Sequence, residues 1–345
     1  MSAQLALARE PDGNTIVLDG EVPARSIWPI AGGKGGTGKS TLTANLGLGL
    51  SLLGYKVILV DGDLGGADLH LFFGQLSPPR SLSSFLLKEA ATLEQVVVDT
   101  PSENLRLVCG GNELIGIANL PYLVKEKLVR HILALDADYV LIDLGAGTSY
   151  NTLDLFTMSD HGVVVCTPEP HARVDAYGFV KNTVYRKLRR RFAGRPAVRQ
   201  VIDRFATGTG RRSGRIRELV EQIAAVDPRG ADDCGELLDA YRPRLVLNRV
   251  RHRRQLQDSE RLLSLVEDYL SVRMEYVGHV RNDPHIMDAC ERRRPLLLDS
   301  PKAPAARDIC SILMKGLAVQ DRLHRYSADD SRKMAEAARA EARFW

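Results

Sequence analysis

The chain has no C-x-x-C pair: its five cysteines, Cys109, Cys166, Cys234, Cys290 and Cys310, are odd in number and widely spaced. That spacing suggests neither a zinc site nor a cluster-binding pair, and reduced thiols of a cytoplasmic protein are the simplest reading. No apolar run approaches the roughly 20 residues that span a bilayer. The N-terminus lacks a charged start followed by an apolar core, so no secretion signal is expected. Aromatics are sparse at 6%, and the net charge of +4 is small, although the basic residues are unevenly spread. The 345 residues, 44% hydrophobic and 26% charged, fit one large α/β domain with insertions, or two domains.

What is present is glycine, concentrated in Gly32-Gly33-Lys34-Gly35-Gly36-Thr37-Gly38-Lys39-Ser40-Thr41. From Gly33 this matches the phosphate-loop spacing G-x-x-x-x-G-K-S. Glycines are required because backbone N–H groups must wrap phosphate oxygens closely, and a Cβ would obstruct both the turn and the approach. In that role Gly33, Lys34, Gly35, Gly36, Thr37, Gly38, Lys39, Ser40 and Thr41 bind the nucleotide. Lys39 reaches the β- and γ-phosphates and the Ser40 hydroxyl ligates Mg²⁺. A first strand is expected at 26–31, a helix at 42–53 and a buried strand at 56–61. This order predicts an α/β fold with a mostly parallel, doubly wound sheet. Pro29 is awkward in that first strand, because it forfeits a ladder donor. A bulge there, or pairing on the other edge, would accommodate it.

The second strand ends in Asp61 and Asp63, at the sheet edge where open α/β folds place their ligands. Asp61 reads equally as a loop cap or as metal support. Helix 121–135 leads to the strand 138–144, whose Asp143 can hold the Mg²⁺ water shell. In the loop after it, Gly145 or Gly147 can offer an N–H to a γ-phosphate. Further strands are expected at 105–110, 161–166, 245–250 and 276–280. Asn248 ends the penultimate one, a position that suits a turn-capping amide. His171 reads as a surface residue at a helix start.

The run K-G-G-T-G-K-S, with Lys34 ahead of the lysine of the loop, resembles the deviant phosphate loop of the MinD/ParA family. Two other stretches are similar to FlhG-like members of that family. One is Asp61–Gly74, like their D-x-D-x-G-x-x-x-x-D-x-x-x-G element; the other is Thr167-Pro168-Glu169-Pro170 followed by Asp175-Ala176-Tyr177. The resemblance covers about 26–185 and 243–323, with Leu144 where the family usually has proline. It implies an Mg-ATP-dependent ATPase that forms a face-to-face homodimer, hydrolyses slowly and acts as a spatial switch for a flagellum, division site or DNA cargo. By the same resemblance Lys34 crosses the dimer interface to the partner's phosphates, and Lys34, Lys39 and Asp63 are the catalytic residues. Asp63 positions the attacking water and, with Ser40 and Asp143, belongs to the metal set. Asn248 meets the adenine, and the segment from 281 to 296 closes over it. The alternatives are a metal-cluster carrier like the Mrp and nitrogenase-reductase relatives, and a nucleotide-binding scaffold without turnover.

The organisation expected is an N-terminal extension (1–25), an ATPase domain (26–325) with a helical insertion near 186–242, and a helical tail (326–345). Between 186 and 217 arginine is dense and Asp203 is the single acid. That segment is either a patch for an anionic surface, membrane or DNA, or a solvated helical face with acidic partners elsewhere in the fold. A protein partner or activator is also open, and the location expected is cytoplasmic, peripheral to the inner membrane or the nucleoid at most. The tail's apolar face is mostly alanine, too weak to bury much area in a bilayer.

Overall fold

The computed structural model describes residues 8–9, 15–16, 26–111, 120–207 and 214–317. The tail at 326–345, Arg211 and Arg212 lie outside the described residues, as does most of the lead-in. Of that lead-in, Ala8–Arg9 and Thr15–Ile16 pair as a short antiparallel ladder.

The core is an eight-stranded sheet. Its strands, in chain order, are β1 (Ser26–Ala31), β2 (Val57–Gly62), β3 (Val97–Asp99), β4 (Leu105–Val108), β5 (Tyr139–Leu144), β6 (Val163–Cys166), β7 (Arg244–Val250) and β8 (Glu275–Arg281). Their spatial order is β8-β7-β6-β1-β5-β2-β4-β3, and every pairing is parallel except β3 with β4. The period of two explains why the strands read as unbroken apolar runs. In β5, Val140, Ile142 and Leu144 pack into the core on one face, while Tyr139 and Leu141 pack on the other. A parallel sheet covered on both faces needs apolar side chains at every position. The expected fold class is the one found.

One face carries α1 (Lys39–Leu52), α10 (His285–Glu291), α11 (Leu296–Asp299) and α12 (Pro304–Ser311). The other carries α2 (Leu82–Leu86), α3 (Tyr122–Leu133), α4 (Tyr150–Phe156), α5 (Pro170–Arg191) and α9 (Gln257–Leu270). Three further helices, α6 (Pro196–Thr207), α7 (Ile216–Val226) and α8 (Pro228–Ala240), stack outside α5 and α9. They bury Ile202, Leu219, Ile223 and Leu238 against that second face.

Several boundaries differ from the sequence expectation for physical reasons. Helix α1 begins at Lys39 rather than 42, because the glycine loop turns directly into it at Gly38, a left-handed residue with φ 88°. The antiparallel edge strand β3 and the helix α4 carry no periodic signal long enough to read. Within the expected helical insertion, helix α8 begins at Pro228, because Asp227 caps it by accepting the Gly230 N–H and proline suits the first turn. Pro29 sits in an unshifted ladder with β5, opposite Ile142, so there is no bulge. Pairing with β6 begins only at Ile30, beyond the proline.

Candidate phosphate-loop site

The loop between β1 and α1 lies at the carboxyl edge of the sheet. Its glycines are there because other chain segments press against it. A Cβ on Gly33 would run into the backbone carbonyl of Asp175 at the start of α5, and one on Gly38 would run into the Asn248 amide. Gly36 and Gly38 are both left-handed, with φ of 74° and 88°. No side chain caps the N-terminus of α1, so its first N–H groups stay open to a ligand. Lys39 is buried at 8% exposure, and the Thr37 Oγ1 is buried without a hydrogen-bond partner. A buried unpaired hydroxyl beside open amides is costly unless something polar arrives. Lys34, Gly35 and Gly36 form the exposed rim.

Register brings the carboxylates in. Asp143 at the end of β5 stands opposite Ile30 on one side and Asp61 on the other. It is 2% exposed, and Thr43 Oγ1 donates to its Oδ1 at 3.4 Å. Burial pushes its carboxyl up to about 7, opposed by a hydrogen bond with Ser40 and by the charge of Lys39. Asp143, Ser40 and Lys39 therefore meet, as the sequence spacing predicts.

Asp61 is a cap. Its Oδ1 accepts the Asp63 N–H at 3.2 Å and its Oδ2 the Leu69 N–H at 3.1 Å, and it is fully buried. Burial, then the nearby Asp143, raises its carboxyl well above the ordinary range. Asp63 is half-exposed and accepts the Gly65 N–H at 3.1 Å. A Cβ on Gly145 would lie 3.0 Å from Asp63 Oδ1, so the two loops converge. The Gly147 N–H is taken by the Gly32 carbonyl at 3.3 Å. Leu144, at the family's usual proline position, is simply core, at 1% exposure.

Asn248 is committed to the loop itself. Its Nδ2 donates to the Thr37 carbonyl at 2.7 Å, and its Oδ1 accepts the Arg249 N–H at 2.9 Å. Beside it a cavity of about 330 Å³ opens between Gly38, Thr41, Asn282, Asp283 and Met287. The tenth position of the aspartate-rich element is His70 rather than an acid. The acid is Asp68, which is exposed, close enough to raise the Asp61 and Asp143 carboxyls, and visible in the sequence as an offset aspartate. Thr43, which lies outside the motif, carries no sequence signal. His171 is exposed in the first turn of α5, as expected.

The remaining candidates are the cysteines and the basic segment. The cysteines are free, with Cys109, Cys166 and Cys234 buried, and among the described residues no three His, Cys, Asp or Glu side chains are grouped to hold a metal. Most arginines of 186–195 have acidic partners: Arg186 pairs with Asp154, Arg189 with Asp203, Arg191 with Asp233, and Arg195 with Asp227 and Asp233. Arg215 stacks over Tyr269. No helix among the described residues is long and apolar enough to cross a membrane.

The model of the CobQ/CobB/MinD/ParA nucleotide-binding domain matches residues 28–296. The chain is 37% identical over 158 residues to the flagellum site-determining protein YlxH of Helicobacter pylori, covering 44% of this chain and 51% of that protein. It is 26% identical over 288 residues to an uncharacterized ATP-binding protein of Methanocaldococcus jannaschii, covering 83% and 85%. The chain spans about half the length of several curated relatives it matches, putative septum site-determining MinD proteins among them. Among solved structures it resembles MinD of Pyrococcus horikoshii complexed with Mg-ADP, with a TM-score of 0.59 at 20% identity over 88% of this chain and all of that one. It also resembles the MinC:MinD complex of Aquifex aeolicus, with a TM-score of 0.53 at 20% identity.

Proposed function

The chain belongs to the CobQ/CobB/MinD/ParA nucleotide-binding family, and from that membership we propose that it is a MinD/ParA-type ATPase of the FlhG-like kind. It binds Mg-ATP, dimerises face to face around two nucleotides, and hydrolyses slowly as a timer for placing a flagellum, division site or other cargo. The observation that carries the reading is the meeting of Lys39, Ser40 and Asp143 under a glycine loop with open amides and an unpaired buried Thr37 hydroxyl.

The donor set fits Mg²⁺, which keeps several waters and needs only one or two protein ligands besides phosphate oxygens. Ser40 would ligate it directly, with Asp143 through its water shell and Asp63 beside them. When bound, it neutralises charge on the β- and γ-phosphate oxygens. The chain's own residues do the rest. Amides of 33–41 hold the phosphates, and Lys39 neutralises the β- and γ-oxygens from below. The Gly145 N–H reads the γ-phosphate, since that of Gly147 is already spent. Asp63, over Gly145, orients the attacking water. Lys34, free on the rim, reaches the phosphates of the partner subunit, so ATP binds two copies more tightly than it binds one. The cavity beside Asn248 takes the base, with Asn248 holding the loop rigid beneath it. The catalytic domain is 26–325 with α6–α8 inserted, flanked by the extension 1–25 and the tail 326–345. The protein works in the cytoplasm, peripheral to any membrane or nucleoid.

Two variants test the reading together. Lys39→Ala should abolish binding of a fluorescent ATP analogue. Asp63→Asn should keep that binding but lower phosphate release ~100-fold or more, the range of a lost general base. Undiminished phosphate release by Asp63→Asn would remove Asp63 from the mechanism, and unchanged binding by Lys39→Ala would remove the phosphate-loop assignment.

A further inference from the structure

Helix α1 begins in the phosphate loop, and apart from Lys39 the polar side chains it buries are Thr43, Asn45 and Ser51. Ser51 serves its own helix, donating to the Leu48 carbonyl at 2.8 Å. Thr43 serves the carboxylate site, donating to the Lys39 carbonyl at 2.9 Å and to Asp143 at 3.4 Å. Asn45 does neither. Its Nδ2 donates to the Thr41 carbonyl at 2.7 Å, and its Oδ1 accepts the Leu297 N–H at 2.9 Å across 252 residues of chain. Asparagine is a poor helix former, and a buried amide is costly unless its donor and acceptor are both engaged. At this fully buried position both are.

Those two bonds bear on two walls of one cavity. The cavity beside Asn248 is lined by Gly38 and Thr41 of the loop and by Asn282, Asp283, Ile286 and Met287 of the segment after β8. That second wall is α10 with the turn ahead of it, and it is anchored at both ends. In front, Asp283 Oδ2 accepts the Ala305 N–H at 2.9 Å and its Oδ1 the His285 N–H at 3.1 Å. Behind, a turn through Arg293, left-handed at φ 55°, leads into α11, where Asn45 holds Leu297. Cys290 of α10 also hydrogen-bonds the Thr41 side chain. Leu46 and Leu50 of α1 share an apolar cluster with Leu296, Leu297 and Leu298. Apolar burial is non-directional, whereas a fully bonded amide within it admits one register.

We propose that Asn45 is a positioning residue for the nucleotide. It sets the α10 wall against the phosphate loop, and so decides how much of the affinity comes from base and ribose rather than from the phosphates. It does not line the cavity itself and acts through Thr41 and Leu297. Removing its side chain leaves the Leu297 N–H buried without a partner and frees α11, and α10 with it, from the loop. The inference rests on the reading of this cavity as the base site.

The test is calorimetric titration of full-length protein, in Mg²⁺, with two ligands that undergo no hydrolysis here: ADP, and inorganic pyrophosphate, which has no base. Asn45→Ala should weaken ADP at least ~10-fold, the scale of a buried group left unpaired, while pyrophosphate binds as it does to the parent. A merely structural role would not split the two ligands, because a loosened α1 weakens both together. Equal weakening of both therefore overturns the inference, and so does unchanged ADP affinity. A parent that binds pyrophosphate as tightly as ADP removes the base wall but leaves the phosphate loop standing. A parent that binds neither removes the phosphate-loop reading, and the inference with it. Should thermal unfolding show that Asn45→Ala does not fold, deuterium exchange in the parent decides. Pyrophosphate reaches only the loop, yet it should slow exchange over 292–299 about 5-fold, the lower end of ordinary coupling between sites. Unchanged exchange there overturns the inference.

Discussion

At the scale of single residues, the glycine turn ahead of α1 was legible because its constraint is local: consecutive positions must leave amides open, and the spacing alone encodes that. Asp143 was legible by order and by its place at a strand end. Asp61 was left between cap and metal support, because its role as a cap depends on the Leu69 N–H arriving through a 3₁₀ turn. Asn248 was half-legible: its position at a strand end marked it, but its bond to Thr37 joins residues 211 apart. Gly33 makes the sharpest residue-scale prediction. The Asp175 carbonyl occupies the space where a Cβ would go, and backbone gives way less easily than a flexible side chain. Gly33→Ala should weaken ATP-analogue binding at least ~10-fold, or about 1.4 kcal/mol, measured by fluorescence titration. Retained affinity would mean that α5 is free to move off the loop.

At the scale of elements, helices α3, α4 and α5 are tied by one carboxylate. Asp154 on α4 takes Lys125 of α3 at 2.7 Å and both nitrogens of the Arg186 fork of α5, with its side chain 8% exposed. Burial alone would raise this carboxyl, but the Arg186 and Lys125 charges outweigh burial and hold it below its ordinary value. A group whose folded pKa is depressed adds stability above its unfolded pKa and loses it as pH falls through the folded one. Asp154→Asn should therefore cost about 3 kcal/mol at neutral pH, as for a buried pair broken on one side. In denaturant melts that difference should shrink as pH drops below about 4, the carboxylate's ordinary range. A cost that is the same at acid and neutral pH would contradict the ion-pair account. Sequence spacing could not pair these residues, 29 and 32 apart. For the same reason the stretch after Arg186 read equally as a patch for an anionic surface or as a face with acidic partners elsewhere, and Arg186, Arg189, Arg191 and Arg195 find theirs in Asp154, Asp203, Asp227 and Asp233.

At the scale of the molecule, the doubly wound sheet follows from unbroken apolar strands alternating with helices, and the family match spans most of it. The three-helix addition on α5 and α9 was legible as a change in composition. Its packing was not, because amphipathic stripes name a buried face but not the surface that buries it. The claim that organises the whole account is a pair of subunits joined through ATP, with Lys34 supplied to the neighbouring site. Sedimentation velocity tests it directly, using the Asp63→Asn background to keep ATP intact. With ATP that protein should sediment as a dimer and with ADP as a monomer. Adding Lys34→Ala should leave it monomeric with ATP, while it still binds the fluorescent ATP analogue. A Lys34→Ala protein that dimerises with ATP as fully as its parent would contradict the account.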